Sequence, residues 1–257
     1  MNLTRTILID PLSLHSLMLE VCVNGNQLGT ATGFVVQVSE RPYLITNWHV
    51  VSGIDPQTGQ TLSPSAGVPD ELRIIHHASA RLGSWVRRSE SLRDAAGSSR
   101  WLEHLRGSQV DVVAVPLSSL DSEVKLYPLD LRLANAAMVP RPGMPVFIIG
   151  FPFGLAAAGS MPIWKTGHIA SDPDLNYGGQ PAFLIDATTR SGMSGSPVIL
   201  RLTGGYESGS GVYTQMGPPT TKFLGIYSGR IHGQAEIGKV WCPSLIEEIV
   251  PTHTGSP

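Results

Sequence analysis

The stretch RSGMSGSPVI, residues 190–199, surrounds Ser194 with small residues. A hydroxyl is a weak nucleophile until a neighbouring base takes its proton. Its attack on a carbonyl creates an oxyanion, which needs N–H donors aimed at it. Gly192 precedes Ser194 by two places and Gly195 follows it, and glycine permits the dihedrals of a tight turn. In such a turn the backbone N–H groups of Gly192 and Ser194 can point into one site. The competing reading is an inert Gly/Ser loop between two strands. A nucleophile elbow is not matched: that motif reads G-x-S-x-G, and Ser196 stands where its last glycine would be.

A base is needed, and His49 in LITNWHVVSG is the best candidate, because it ends an apolar strand-like run. His76 and His77 are adjacent and point to opposite faces of a strand. His104 follows an arginine-rich stretch, and His168, His232 and His253 lie near turns or the terminus. A histidine base in turn needs a buried carboxylate to fix its tautomer and stabilise the imidazolium. Asp111 opens the apolar run DVVAVPL, whereas Asp70 and Asp94 have polar surroundings. A buried carboxylate there must find a hydrogen-bond partner.

These residues must be positioned by many short strands. LMLEVCV, GTATGFVVQV, PYLITNWHV, ELRIIHHA and DVVAVPL are apolar, strand-like runs, and Asn24-Gly25 is a hairpin signal. WVRRSESLRD reads as a further strand and SSRWLEHL as a short helix. A polar, proline-marked connection at 118–142 precedes a second set: PVFIIGFP, AGSMPIWKTGHIA, PAFLIDA, SPVILRL and TKFLGIYSGRI. Residues 203–219 are rich in Gly, Ser and Pro and read as a hairpin loop. Helical periodicity is confined to SLIEEIV near the end.

ITNWHVV, VDVVAVPL and SGMSGSP, in the order His, Asp, Ser, resemble trypsin-like (chymotrypsin-fold) serine peptidases. The likeness is to bacterial intracellular-type trypsin-like domains and to the protease core of HtrA-type proteins, and FIIGFPFG and LGIYSGRI extend it. The resemblance implies an all-β fold of two six-stranded antiparallel β-barrels, with the active site in the cleft between them. Residues 1–120 would carry His49 and Asp111, and residues 121–257 would carry Ser194. It implies a serine endopeptidase acting through an acyl-enzyme on Ser194. The N–H groups of Gly192 and Ser194 would form the oxyanion hole, and Ser228 would support Asp111. Thr188 would floor the substrate pocket, with Ser228, Gly229 and Arg230 beside it, and His232 near enough to take part.

The chain also departs from the digestive enzymes of that family. They carry an aspartate just before the catalytic serine, where it pairs with a newly cut N-terminus; Met193 stands there instead. Threonine at 188 supplies no charge for a Lys or Arg side chain, so no strong preference for those residues is expected. Two rivals remain: a silent or trigger-dependent peptide-binding module that keeps the residues but not their alignment, and an esterase using the same serine.

Composition sets outer bounds. The 257 residues carry a net charge of −2 and are 42% hydrophobic, which fits a packed core and gives no electrostatic case for nucleic acid or an anionic membrane as main partner. Arginines 81, 87, 88, 93, 100 and 106 are diluted by Glu90, Asp94 and Glu103 and read as a solvated segment. Cys22 and Cys242 form no disulfide framework or metal-ligand spacing. Asp10, Pro11 and His15 interrupt the first apolar run, which argues against a signal peptide, and no stretch approaches a membrane span. The expectation is a cytoplasmic protein with a protein or peptide substrate and neither metal nor organic cofactor.

Overall fold

A computed structural model describes residues 8–207, 213–215 and 219–250. The first half holds eight strands: β1 (Ser16–Val23), β2 (Asn26–Val38), β3 (Arg41–Thr46), β4 (Glu71–Ala78), β5 (Trp85–Ser91), β6 (Leu102–Glu103), β7 (Val113–Pro116) and β8 (Val124–Lys125). They form an antiparallel sheet in the order β5-β4-β1-β2-β3-β7-β6, with β8 paired to β4. Six of these strands have four or more residues, and β6 and β8 are two-residue additions. The backbone N–H of Arg100 donates to Leu92 O, tying the loop after β5 to the residues leading into β6. The pairing of β8 carries the first sheet past residue 120.

The second half holds β9 (Pro145–Gly150), β10 (Ile163–Ile169), β11 (Ala182–Asp186), β12 (Pro197–Leu202), β13 (Gly205–Glu207), β14 (Tyr213–Gln215), β15 (Thr220–Arg230) and β16 (Ile237–Trp241). Six of them close a barrel in the order β10-β11-β16-β15-β12-β9. Strands β13 and β14 pair as the hairpin expected at 203–219; residues 208–212 and 216–218 of that segment lie outside the described residues. The architecture is all-β, one closed six-stranded barrel and a second, eight-stranded sheet, consistent with the expected two-barrel fold; among the described residues the first sheet is not closed between β5 and β6.

Three apolar clusters explain the packing. One fills the first sheet, around Leu19, Val35, Leu44, Leu72 and Ile74. Another fills the closed barrel, around Ile148, Ile185, Val198 and Val240. The third joins the halves: Phe34, Ile45, Val110 and Val112 meet Ile149, Phe223, Trp241 and the helix α2 (Ser244–Ile249) through Leu245, Ile246 and Ile249. Phe34 meets Phe223 edge-on at 5.6 Å. Burying these surfaces fixes how the halves dock, which is what a site shared between them requires.

Local signals explain several elements. Asn24 (φ 48°) and Gly25 (φ 77°) make the two-residue turn between β1 and β2, as their left-handed dihedrals allow. Asp70, an alternative carboxylate from sequence, accepts the Asn24 N–H and holds this turn. Asp94, the other, accepts the N–H groups of Ala96 and Ser98. The short helix expected at SSRWLEHL is not formed. Leu102 and Glu103 pair instead with Ala114 and Val113, and Trp101 is buried against the first sheet's core. Long-range pairing and burial of that indole outweigh a weak local preference. His76 and His77 sit on opposite faces, yet both are buried, because the turn before β1 covers the second face: His77 Nε2 lies 3.1 Å from Leu14 O. Cys22 is buried, Cys242 is partly so, and both are free thiols. No helix among the described residues is long and apolar enough to cross a membrane.

Candidate active site

The backbone turns into a five-residue helix, α1 (Trp48–Ser52), directly after β3. Gly53, at φ 70°, ends it, and its N–H donates to His49 O. This single turn lifts the imidazole off the sheet. Glu103 accepts from both Trp48 Nε1 (2.9 Å) and Trp101 Nε1 (3.1 Å), anchoring the residue beside His49.

Asp111 is 2% exposed and meets three donors. Its Oδ2 lies 2.8 Å from His49 Nδ1 and accepts from Ser228 Oγ at 2.6 Å, while Oδ1 accepts the His49 backbone N–H at 2.9 Å. Asn47, buried at the start of α1, donates its side-chain amide to Asp111 O at 2.7 Å. A carboxylate so bound on both oxygens holds the ring in one orientation, with the proton on Nδ1 and Nε2 free to act as a base. Burial by itself lowers the His49 pKa. The Asp111 charge and hydrogen bond more than offset this, and the pKa is raised above the ordinary histidine value.

Ser228 reaches Asp111 because of a bulge. Strand β15 slips register against β16 between Tyr227 and Gly229, which re-aims the residue between them.

Ser194 sits on the turn between β11 and β12. The turn is pinned by alternating backbone bonds: Met193 N donates to Arg190 O, Gly195 N to Tyr227 O and Ser196 N to Met193 O. Among the described residues, the N–H groups of Gly192 and Ser194 meet no protein acceptor. Gly192 has φ +91°, and a Cβ there would lie 2.3 Å from Phe151 O. Gly195 has φ +86°, and a Cβ there would lie 2.1 Å from Thr32 O. Both positions therefore require glycine.

The first half holds this turn through one residue that sequence reading missed. Thr32, fully buried on β2, donates its N–H to Ser194 O (2.9 Å) and its hydroxyl to Gly192 O (2.8 Å). The same hydroxyl accepts from Phe151 N (3.1 Å), and Thr32 O accepts from Thr46 Oγ1 (2.9 Å). Both carbonyls that flank the free N–H groups are thus fixed from the opposite half. The only signal in the sequence was a threonine inside an apolar strand.

His49, Gly192 and Ser194 line one cleft of about 340 Å³. A second cleft, which His49 also borders, is lined by Asp55, Asp111, Ser228, Gly229, Arg230 and Lys239. No hydrogen bond joins Ser194 Oγ to His49 among the described residues.

The expectation for Thr188 is not met. The alternation after β11 leaves Thr188 exposed and turns Thr189 inward, where its hydroxyl bonds Tyr227 Oη. Burial pushes the Tyr227 phenol up to about 12, with the Thr189 hydrogen bond acting in the other direction. Arg230 is exposed and lies 3.8 Å from Glu236, which Arg190 also approaches at 3.3 Å. His232 Nδ1 accepts the Gln234 N–H, a local turn contact. Met193 is buried in the closed barrel's apolar cluster.

Several solved structures share this fold. The active form of the Rv3671c protease of M. tuberculosis matches with TM-score 0.51 at 17% identity, over 95% of this chain and 83% of that one. The protease Anisep of Arthrobacter nicotinovorans matches with TM-score 0.52 at 12% identity, over 92% and 93%. The thermostable serine protease AL20 from an extremophilic microorganism matches with TM-score 0.53 at 11% identity, over 96% and 100%. No curated protein matches the chain. The family model described as the trypsin-like peptidase domain matches residues 31–204, a span that runs through His49 and Asp111 to Ser194 and covers well over half the sequence; the chain belongs to the trypsin-like peptidase family.

Proposed function

We propose that the chain is a serine endopeptidase acting on protein or peptide substrates through an acyl-enzyme on Ser194. The observation that carries this reading is the Ser228–Asp111–His49 hydrogen-bonded chain, which ends in the cleft that also holds Ser194 and two unclaimed backbone N–H groups. Ser194 Oγ attacks the scissile carbonyl carbon and its proton passes to His49 Nε2. The carbonyl oxygen becomes an oxyanion held by the N–H groups of Gly192 and Ser194. Asp111 stabilises the imidazolium. His49 then gives the proton to the amine nitrogen as the C–N bond breaks, leaving an ester on Ser194, which water hydrolyses by the same steps. The half up to about residue 120 supplies His49 and Asp111, and the remainder supplies Ser194.

The missing Ser194–His49 hydrogen bond favours a second reading, a peptide-binding module that is silent or awaits a trigger. Such bonds often form only when substrate is bound. Intact mass after treatment with a fluorophosphonate probe decides between the two. A single adduct on the native chain, absent from Ser194→Ala, supports the peptidase. No adduct leaves the binding module.

A further inference from the structure

The two clefts beside His49 differ in chemistry. The one on the Arg230 side carries Asp55, Asp111, Arg230 and Lys239. Among the described residues, the one on the Ser194 side carries no carboxylate, ammonium or guanidinium group: its walls include Val21, Leu28, Ala31, Val50, Leu62 and Pro69, and His49 is its one titratable side chain. We infer that this second cleft receives an apolar side chain of the substrate, close to the scissile bond; the inference rests on the peptidase reading proposed above.

The walls are built rather than loose. Leu62 N donates to Gly53 O at 2.8 Å, and Ala66 N to Ser63 O at 2.9 Å. Ile54 and Thr61 form an isolated bridge, and Asp70 N bonds Cys22 O, so the loop from 62 to 69 is fastened at one end to the residues after α1 and at the other to β1. A Cβ on Gly67 would lie 3.0 Å from Leu28 and one on Gly53 would lie 2.4 Å from Pro69, so the wall packs closely onto the strand and helix behind it. About 340 Å³ is within the range of ligand pockets and holds a large side chain. A charged side chain placed there would lose water and meet no opposite charge among the described residues, only hydroxyl groups and the N–H groups that the reaction itself uses.

The route of the substrate is legible from the second half. Tyr227 gives its N–H to Ser196 O and takes the Gly195 N–H, and beyond it, among the described residues, β15 has a strand only on the β16 side. The open edge at Ser228–Arg230 borders the charged cleft. An extended peptide paired with that edge passes Ser194 and enters the apolar cleft. The apolar side chain therefore belongs to the part of the substrate that lies away from Ser228–Arg230. Leu62 borders both clefts and is half exposed, which makes it a replaceable determinant.

The test uses fluorescent peptides of one Gly/Ala sequence in which Leu, Ala, Asp or Lys is moved through each position. Cleavage by the native chain should favour Leu over Asp at one fixed distance from the cut by at least about tenfold in kcat/KM. Leu62→Arg should shrink or reverse that ratio by admitting Asp, a gain that misfolding cannot mimic. In parallel, Ser194→Ala should bind the best Leu peptide at least about tenfold more tightly than its Asp counterpart by fluorescence anisotropy. Equal cleavage or equal binding of Leu and Asp peptides, or an unchanged ratio in Leu62→Arg, overturns the inference. Failure of the fluorophosphonate adduct alone overturns the peptidase reading, while the binding arm still judges the cleft.

Discussion

Thr32→Val keeps the shape of the side chain and removes one hydroxyl. That hydroxyl serves two buried backbone groups, donating to Gly192 O and accepting from Phe151 N. Each group left unpaired costs about 1–3 kcal/mol, so the variant should lose roughly 2–6 kcal/mol of stability if nothing moves. The alternative is that the turn shifts to find water. A displacement of about 1 Å at a catalytic group can cost about a hundredfold in rate. Because Gly192 N–H and Ser194 N–H sit on the same turn, relief of the strain and loss of the oxyanion geometry are the same movement. The rate of fluorophosphonate labelling should fall by about a hundredfold in Thr32→Val, measured where circular dichroism shows the chain folded. Thr32→Ser retains the hydroxyl and loses only a methyl group, worth about 1 kcal/mol, and should label nearly as fast as the native chain. Kinetics on a cleaved peptide should show the Thr32→Val loss in kcat more than in KM, since Thr32 lines neither cleft. If Thr32→Val is destabilised in urea yet labels at the native rate, Thr32 is a structural residue only and the positioning argument fails.

Four further outcomes follow from the same geometry. His49 must be neutral to act, and its pKa is raised, so kcat/KM should climb with pH through a midpoint above the ordinary histidine value of about 6.5; Asp111→Asn should move the midpoint below it, since burial is then less opposed. His76 is fully buried, neither ring nitrogen has a partner among the described residues, and burial lowers its pKa to about 4; the unfolded chain takes up that proton first, so stability should fall by about 3 kcal/mol between pH 6.5 and pH 4, and His76→Phe should flatten that slope in urea melts. Gly192→Ala puts a methyl group against Phe151 O at a left-handed φ and should reduce labelling by at least about a hundredfold, whereas a native rate would show that the turn has slack. Met193 offers no carboxylate to a buried amine, so a chain with extra residues at its N-terminus should be fully active, and activity appearing only after N-terminal cleavage would refute this.

Residue type and order made His49, Asp111 and Ser194 visible in the sequence, because a hydroxyl, an imidazole and a strand-opening carboxylate each imply the next. What stayed hidden depends on register. Thr188 and Thr189 are indistinguishable by type, and only the alternation after β11 decides which one turns inward. SSRWLEHL has a local helical pattern, but the bond partners of Leu102 and Glu103 lie on β7. Thr32 and Asn47 act through backbone atoms brought near by folding, so no motif announced them. The apolar cleft draws its walls from β1, β2, α1 and the loop from 62 to 69, segments with no common pattern along the chain.

The placement of Thr32 also bears on why the active arrangement should appear late in folding. Its own fold belongs to the first sheet, but the groups it fixes belong to the second barrel. Its bonds to Gly192 and Ser194 can form only once Phe34, Ile45, Val110 and Val112 have docked against Phe223, Trp241 and α2. His49 and Asp111 depend on the same event, since Ser228 reaches Asp111 from the second barrel. A cavity in the joining cluster should therefore weaken labelling beyond its effect on global stability. Phe223→Leu tests this, because it trims the cluster at its edge-on contact with Phe34. Labelling that falls in proportion to the folded fraction alone would show that the barrels align the site without help from this cluster.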